Sequence, residues 1–408
     1  MKVAVLGAGG TIAPAIVRDL ADSEEVTALR LLDLDLDRAE AVAREHGGGK
    51  AEAAAADATA NLAEQLTGTE VLVNSAAYRV NLAAMAASLE VGCHYLDLGG
   101  LYHVTAEQLQ LSAEFERSGL LALLGIGSSP GKTNLLAARA VRELGGEPSS
   151  IAVAAAGRDL RPPDGLSFPY ALRTLLDEIT LAPIALVNGE RRQLKPLLQG
   201  PRIDFGDPIG EADSIFTLHS EVLTFGESFA APSVSFALSL KHEVLEQLRE
   251  LVGASEERVA QVARSASPPS PETVSVHLVE VTGPETAIRA RSVTGPHREW
   301  QLGGGIVSTA SPAAAAVRLL ARGRITATGA LPPERCIEPD EMFAELETRG
   351  VRVEFDATER GSALTDVQRR ATPGDARALR RREGAPIRSD PSCIRGATRN
   401  RREEAASS

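Results

Sequence analysis

A glycine-rich segment near the start of the sequence carries the first residues whose types and spacing suggest chemistry. The apolar run 2–6 is followed by glycines, and helical spacing extends from 12 to 20. A strand, a glycine turn and a helix in this order place free backbone N–H groups and the positive end of the helix dipole where a pyrophosphate can bind. The residues expected to contact a dinucleotide here are Gly7, Gly9, Gly10, Thr11 and Ile12.

An acidic residue at the end of the second predicted strand favours NAD as the dinucleotide. The strand covers 28–32 and ends at Asp33, 21 residues past Ile12, which replaces the third glycine of the usual G-x-G-x-x-G pattern. A carboxylate there accepts hydrogen bonds from the adenosine ribose and repels the 2′-phosphate of NADP. The alternative is that Asp33 caps a helix, although Asp35 or Asp37 can do this instead. NAD is therefore the expected cofactor, with NADP possible.

Polar side chains recur at the ends of further predicted strands, over 51–56, 70–73, 94–96 and 120–124. Six strands with helices between them are typical of an α/β fold with a doubly wound parallel sheet, a Rossmann domain, whose ligands bind at the carboxyl ends of the strands. Cofactor contacts are expected from Asp57, Asn74, Ser75 and Ala76. Catalytic roles are expected for Tyr78 and Asp97, with an apolar wall and a cap as the respective alternatives.

The tripeptide Gly131-Lys132-Thr133 is similar to the end of a P-loop, but the phosphate-binding pattern needs glycine at position 126, where this sequence has Ile126. The segment 129–131 is better interpreted as a tight turn that opens a helix over 134–144. Lys132 is one of only five lysines and a possible site residue, although exposure to solvent is the commoner fate of a lysine.

The second half of the sequence predicts a different architecture, an α+β domain containing a largely antiparallel sheet. Asn188-Gly189 between two apolar runs predicts a hairpin with a type I′ turn. A second antiparallel pair, 273–281 with 286–293, surrounds Gly283-Pro284. Further strands are predicted over 151–156, 214–218 and 233–240, and helices over 170–179, 244–252, 313–320 and 342–346.

Composition limits the classes of partner and the cellular compartment that we expect for this protein. The formal charge of −12 argues against nucleic acid, and the sequence has no apolar run of the roughly 20 residues that a membrane span needs. Three distant cysteines without a C-x-x-C pair are typical of the cytoplasm and predict no metal site. The last fifty residues carry 12 arginines against 7 acidic residues, and their composition predicts a disordered basic tail over 358–408.

Several motifs together resemble the saccharopine dehydrogenase family. They are Gly7-Ala8-Gly9-Gly10, Asn74 with Tyr78, the segments 95–100, 127–131 and 216–221, and the closing stretch 311–329. Within that family the order Asn74, Tyr78, Asn81, then 97–100 is most similar to the lysine 6-dehydrogenases. The resemblance covers about residues 1 to 355. The sequence departs from the family pattern at Ile12 and at Ser128-Ser129, where an acidic residue often precedes Pro-Gly.

The resemblance implies a NAD(P)-dependent oxidoreductase that acts on the C–N bond of an amino acid or amine. It implies a Rossmann domain over 1–130 that is completed by 306–355, and a substrate or dimerisation domain over 131–305. Such chemistry needs a base poised near neutral pH, for which His219 is the first candidate, although a structural histidine is the alternative. Residues expected to bind the substrate are Gly100, His103, Arg173 and Glu221. The protein is expected to be a homo-oligomer, such as a dimer.

Three functional hypotheses stay open from the sequence. The first is oxidative deamination of lysine or a lysine-like amine with NAD. The second is an NADPH-dependent reductase of the saccharopine or carboxynorspermidine kind. The third is a non-catalytic protein that binds NAD.

Overall fold

A computed structural model describes residues 1–168 and 170–359, together with the backbone at 377–378. The tail predicted over 358–408 lies outside the described residues apart from these few positions, so it stays a prediction. The helices are α1 (Ala13–Ala21), α2 (Leu36–His46), α3 (Leu62–Gln65), α4 (Asn81–Val91), α5 (Leu101–Leu109), α6 (Ser112–Arg117), α7 (Lys132–Leu144), α8 (Leu172–Thr180), α9 (Glu221–Ser228), α10 (His242–Glu250), α11 (Glu256–Ser265), α12 (Gly304–Ala321) and α13 (Pro339–Glu347).

Among the described residues, the first sheet has seven parallel strands: β1 (Lys2–Leu6), β2 (Ala28–Asp33), β3 (Ala51–Ala55), β4 (Val71–Asn74), β5 (His94–Asp97), β6 (Leu121–Leu123) and β16 (Gly329–Leu331). Their spatial order is β16-β6-β5-β4-β1-β2-β3. β4 is buried along its whole length, as expected for an apolar strand covered by helices on both faces. The strand order reverses between β1 and β4, which places the ligand crevice at the carboxyl ends of these strands.

The second sheet contains β7 (Ser150–Asp159), β8 (Ile184–Val187), β9 (Glu190–Gln193), β12 (Ile215–Phe216), β13 (Val234–Ser239), β14 (Thr273–Thr282), β15 (Thr286–Thr294), β17 (Val351–Glu359) and β18 (Arg377–Ala378). β10 (Ile203–Asp204) and β11 (Glu211–Ala212) form a separate pair. Only β7 and β13 run parallel in the described part of this sheet. Positive φ angles at Asn188 and Gly189 fit the predicted type I′ turn. The predicted fold class is confirmed.

The chain passes between the two sheets more often than the sequence predicted. α12 packs on α1 and β16 extends the first sheet beside β6, within the segment 306–355 assigned to the first domain. β17, however, pairs with β15 along its full length, so the residues from 351 onward join the second sheet. The alternation Val351, Val353, Phe355 provides one apolar face, which packs on the cores of both sheets.

The helix α12 is longer and more deeply embedded than the predicted segment 313–320. It is the one helix among the described residues whose length and apolar composition would suffice to cross a membrane. Of its residues, 78% are buried inside the fold, as in the central helix of a globular core. Its amino-terminal end lies against β14 and β15, at the junction of the two sheets.

Candidate active site

At Gly7 and Gly9, the turn after β1 leaves no room for a side chain. Gly7 has a φ of +76°, and a Cβ on it would lie 2.7 Å from the backbone of Ala76. A Cβ on Gly9 would lie 2.7 Å from the Cβ of Arg38. The turn therefore brings bare backbone to the end of β4, where a phosphate can approach closely.

The turn stays open where it enters α1. Gly10 and Thr11 are exposed, and the helix begins only at Ala13. Ile12, the residue that replaces glycine, occupies the N-cap position without a side-chain cap and packs on the core of the first sheet. The helix end keeps its N–H groups directed toward the position expected for a pyrophosphate.

Asp33 is held in place by two backbone donors. Its Oδ2 accepts a hydrogen bond from Gly9 N at 2.8 Å, and its Oδ1 accepts one from Asp35 N at 2.9 Å. Asp35, not Asp33, caps α2 through Arg38 N. The geometry thus favours the ribose-binding interpretation of Asp33 over the capping one.

The segment after β4 combines a rigid asparagine with an unpaired hydroxyl. Asn74 accepts a hydrogen bond from Ala76 N at 3.0 Å and donates to Asn81 and to the Tyr95 hydroxyl. Ser75 Oγ is buried and has no hydrogen-bond partner among the described residues. A buried polar atom without a partner calls for a ligand or water. Together with the glycine turn and Asp33, this site fits a dinucleotide.

Three of the predicted contact residues make contacts within their own segments, and their predicted roles stay predictions. Asp57 accepts hydrogen bonds from Oγ1 and N of Thr59, which lower the pKa of Asp57. His103 is exposed on α5, with its ring edge-on to Tyr102. A Cβ on Gly100 would lie 2.5 Å from a side-chain oxygen of α5, so Gly100 permits close packing there.

Asp97 ties the end of β5 to the end of β6. Its Oδ1 accepts hydrogen bonds from Gly99 N at 2.9 Å and Gly125 N at 2.7 Å, and its Oδ2 accepts from Gln108 at 2.6 Å and Tyr95 at 3.0 Å. Burial raises the pKa of Asp97, and the hydrogen bonds, led by that from Gln108, oppose the rise. Both oxygens are engaged by the protein itself, so this carboxylate positions the two loops.

Tyr78 connects the two domains. Its hydroxyl donates to Asp177 Oδ2 at 2.8 Å, and Arg79 reaches the same oxygen at 2.6 Å. Arg173, one turn earlier on α8, pairs with Asp177 Oδ1 at 2.9 Å and with Glu256. Burial, followed by the contact with Asp177, raises the pKa of Tyr78 to about 12. Two guanidinium groups thus converge at the junction of the domains, and each remains partly exposed.

A second polar cluster joins the turn after β6 to the start of α9. Ser129 Oγ and Thr133 Oγ1 each donate to Glu221 Oε1 at 2.9 Å. Glu221 Oε2 lies 3.4 Å from Nδ1 of His219, and Glu178 Oε2 lies 3.8 Å from its Nε2. The predicted neighbours His219 and Glu221 are therefore brought together, and Ser129 connects them to the strand edge of the first sheet.

The surroundings of His219 favour its protonated form. The ring stacks on Phe236 with centroids 3.5 Å apart, and Glu178 also accepts a hydrogen bond from Tyr170. Burial opposes the charge on His219, but Glu178 and Glu221 outweigh it and raise the pKa of His219 to about 9. Contact with His219 in turn lowers the pKa of Glu221 against its own burial.

The sequence analysis missed several residues of these clusters. Asp177 and Glu178 belong to an amphipathic helix, where acidic residues normally indicate a solvent-facing side. Lys132 was a possible site residue with exposure to solvent as the alternative, and the alternative is wrong, because the side chain is fully buried. The available signal was the departure from the P-loop pattern. The lysine of a P-loop binds phosphate, and without that pattern Lys132 has no phosphate to bind.

Comparison with known proteins finds similarity in sequence over part of the chain and similarity in fold over most of it. Residues 3–123 match the family model "Saccharopine dehydrogenase NADP binding domain". A Synechocystis sp. protein named carboxyaminopropylagmatine dehydrogenase is 30% identical over 152 residues, which are 35% of this chain and 38% of that protein. Saccharopine dehydrogenase (L-Glu forming) from Saccharomyces cerevisiae matches 88% of this chain and 99% of its own, with 16% identity and a TM-score of 0.65.

These matches confirm the resemblance to the saccharopine dehydrogenase family, while the narrower similarity to lysine 6-dehydrogenases stays a prediction. The chain matches little more than a third of the length of the Synechocystis relative. The match to the yeast structure concerns the fold. Residues 3–123 are similar to the NADP-binding domain of saccharopine dehydrogenases, and this similarity supports binding of a nicotinamide dinucleotide by the domain that they form.

Proposed function

We propose that this protein is an NAD-dependent oxidoreductase that acts on the C–N bond of a carboxylated amine. The observation that carries the proposal is the hydrogen bond from Ser129 to Glu221. Through it, the second domain places the His219–Glu221 pair beside the strand edge at which a Rossmann domain binds its nicotinamide. An ionisable pair of the second domain therefore lies near the carboxyl end of β6 in the first, which supports proton transfer to a substrate bound there.

The charges at the junction suit a substrate with both a carboxylate and an amine. Arg79 and Arg173 present guanidinium groups that can bind a carboxylate. Glu178 and Glu221 lie deeper and can stabilise a cationic amine. This distribution supports an amino acid or an N-carboxyalkyl amine in preference to an alcohol or a sugar.

The proposed reaction breaks one C–H bond and one N–H bond of the substrate. A nicotinamide dinucleotide held at the glycine turn and Asp33 would supply the hydride acceptor. Oxidation would then convert an ammonium substrate into an iminium ion, and one proton would leave the nitrogen. His219 is already protonated at neutral pH because its pKa is about 9. We therefore assign it the role of proton donor to the nitrogen during imine reduction, and of proton acceptor in the reverse direction.

Two observations limit the range of substrates that we propose. The name of the Synechocystis relative denotes a carboxylated secondary amine, whereas the sequence resemblance favours lysine or a lysine-like amine. Both types carry the carboxylate and the amine that the junction suits. Asp33 favours NAD over NADP, although the matched family model is described as NADP-binding. We propose NAD.

A substrate panel tests this function. Lysine, saccharopine and carboxyalkyl polyamines would each be incubated with NAD or NADP while NADH or NADPH absorbance is followed. We expect oxidation of at least one carboxylated amine, faster with NAD. Arg173→Gln should raise KM by at least about tenfold, the loss expected for one charge-assisted contact, whereas the exposed Arg161→Gln serves as the matched control. Cofactor binding without oxidation of any amine would instead indicate a non-catalytic NAD-binding protein.

A further inference from the structure

Lys132 is a buried amine at the junction of the two sheets. Its side chain is fully buried, and its Nζ donates to Ser308 Oγ at 2.6 Å and lies 3.3 Å from Thr294 Oγ1. Within residues 1–168 and 170–359, no carboxylate pairs with it in an ion pair or hydrogen bond. A buried ammonium without a counter-ion is costly, so the group gives up its proton readily.

The sheet face beneath Lys132 changes from apolar to polar. On β14 and β15, residues such as Val279 and Ala290 pack in the core of the second sheet. Further along the same face lie His277 and, directly opposite it, Ser292. The Nδ1 of His277 and the Oγ of Ser292 are buried without hydrogen-bond partners among the described residues. This face offers Lys132 neutral polar groups, which can accommodate either of its protonation states.

The residues that carry and bind the Lys132 amine are connected to the carboxyl end of β6, where we propose that the nicotinamide binds. Lys132 N donates to Gly127 O at 2.9 Å in the turn that follows β6. Thr309, next to Ser308 on α12, lies with its Oγ1 3.2 Å from Ser128 Oγ in the same turn. The backbone that carries Lys132 and the helix that binds its amine therefore both contact the carboxyl end of β6.

The titratable groups around Lys132 come from several elements. β14 contributes His277, and the segment 217–221 contributes His219 and Glu221, with Glu178 of α8 behind them. β15 and α12 present the hydroxyls of Thr294 and Ser308. Burial lowers the pKa of Lys132 to about 7, and burial with the neighbouring Lys132 and His219 keeps the pKa of His277 well below its usual range.

We propose that Lys132 is a proton-exchanging group coupled to the redox state of the bound cofactor. The oxidised nicotinamide ring carries a positive charge, and the reduced ring is neutral. Reduction therefore removes a charge above Lys132 and favours uptake of a proton by its amine. Coupling of this kind is reciprocal, so protonation of Lys132 must weaken NAD⁺ binding relative to NADH binding.

Cofactor titrations test the coupling without any substrate, and hence independently of the proposed function. NADH binding is followed by its fluorescence and NAD⁺ binding by competition, between pH 5.5 and pH 8. In the native protein, the ratio of the NAD⁺ to the NADH dissociation constant should fall with rising pH by about threefold to tenfold. One charge on the order of 10 Å away at an effective dielectric constant of about 20 would change the ratio about fifteenfold upon complete titration, and this pH range covers part of that change.

The variant Lys132→Met should make the ratio independent of pH over this range, whereas the exposed Lys241→Met should behave like the native protein. If the ratio of the NAD⁺ to the NADH dissociation constant does not change with pH in the native protein, the proposal is wrong. An unchanged pH dependence in Lys132→Met would overturn it as well, because His277 or His219 would then be responsible. Thermal unfolding of each variant checks that it is folded.

Discussion

Replacing Lys132 with methionine should stabilise the protein at neutral pH. Burial lowers the pKa of Lys132 from 10.5 to about 7, and each pKa unit corresponds to 1.36 kcal/mol. At pH 7 the unfolded chain binds nearly a full proton at this position, whereas the folded protein binds about half of one. The buried lysine therefore costs about 4 kcal/mol at pH 7.

The replacement also removes two hydrogen bonds. Ser308 and Thr294 lose their buried partner, which costs about 1 to 2 kcal/mol. The net gain for Lys132→Met at pH 7 should therefore be about 2 to 3 kcal/mol. Because the pKa is depressed in the folded state, the native protein gains stability as pH rises from about 7 toward 10.5. The advantage of the variant should shrink by about 2 kcal/mol between pH 7 and pH 9.

Urea unfolding at the two pH values measures this difference. Other titrating groups, including His219, contribute equally to both proteins and cancel in the comparison. The exposed Lys241→Met is the control and should change stability by less than about 0.5 kcal/mol at either pH. If Lys132→Met is more stable than the native protein by the same free energy of unfolding at pH 7 and at pH 9, the amine of Lys132 is not a buried group that readily loses its proton. A loss of stability at pH 7 would lead to the same conclusion.

Three further predictions concern the cofactor site and the histidine cluster. His219→Gln should lower turnover by about 10² to 10⁴ with unchanged NAD affinity. It should also remove a stabilisation that is complete below pH 6.5 and lost as pH rises through about 9, which unfolding at pH 6 and pH 9.5 would detect. Asp33→Ser should narrow the preference for NAD over NADP in calorimetric titrations, and a native preference for NADP would contradict the assignment. Gly7→Ala should weaken NAD at least about tenfold, since 1.4 kcal/mol of distortion suffices, and unaltered affinity would disprove the tight approach to Ala76.

The elements of the first sheet could be predicted because their signals are local. Alternating apolar runs and glycine turns indicate each strand, and Asp33 stands at a strand end that the sequence itself defines. Similarly, Asn188-Gly189 determines a hairpin by its backbone preferences alone. In contrast, β17 is indicated by only a short alternation, and its partner β15 lies more than fifty residues earlier in the chain. No local pattern tells which of two sheets such a strand joins.

The site residues likewise divide into those that the local sequence predicts and those that only tertiary packing brings together. Ser75 and Asn74 follow from the end of a strand, whereas Glu178, a partner of His219, comes from α8, and Ser129, a partner of Glu221, comes from the turn after β6. Glu178 is an ordinary helix residue in sequence, and only packing makes it a buried neighbour of an imidazole. The arrangement of donors around Asp97 is likewise invisible in sequence, because an aspartate at a strand end has the same local pattern whether it contacts substrate or holds two loops.

β16 is synthesised long after its neighbour β6, and this order affects folding during translation. β6 ends at Leu123 and its outer neighbour begins at Gly329, so about 200 residues separate two adjacent strands. At roughly 5 to 20 residues per second, a ribosome needs about 10 to 40 seconds to supply the missing edge. During that time the nascent first sheet ends in an unpaired strand, and α1 lacks the cover of α12. A fragment that stops at residue 130 would keep this open edge permanently and should self-associate, whereas the full-length chain closes it upon completion.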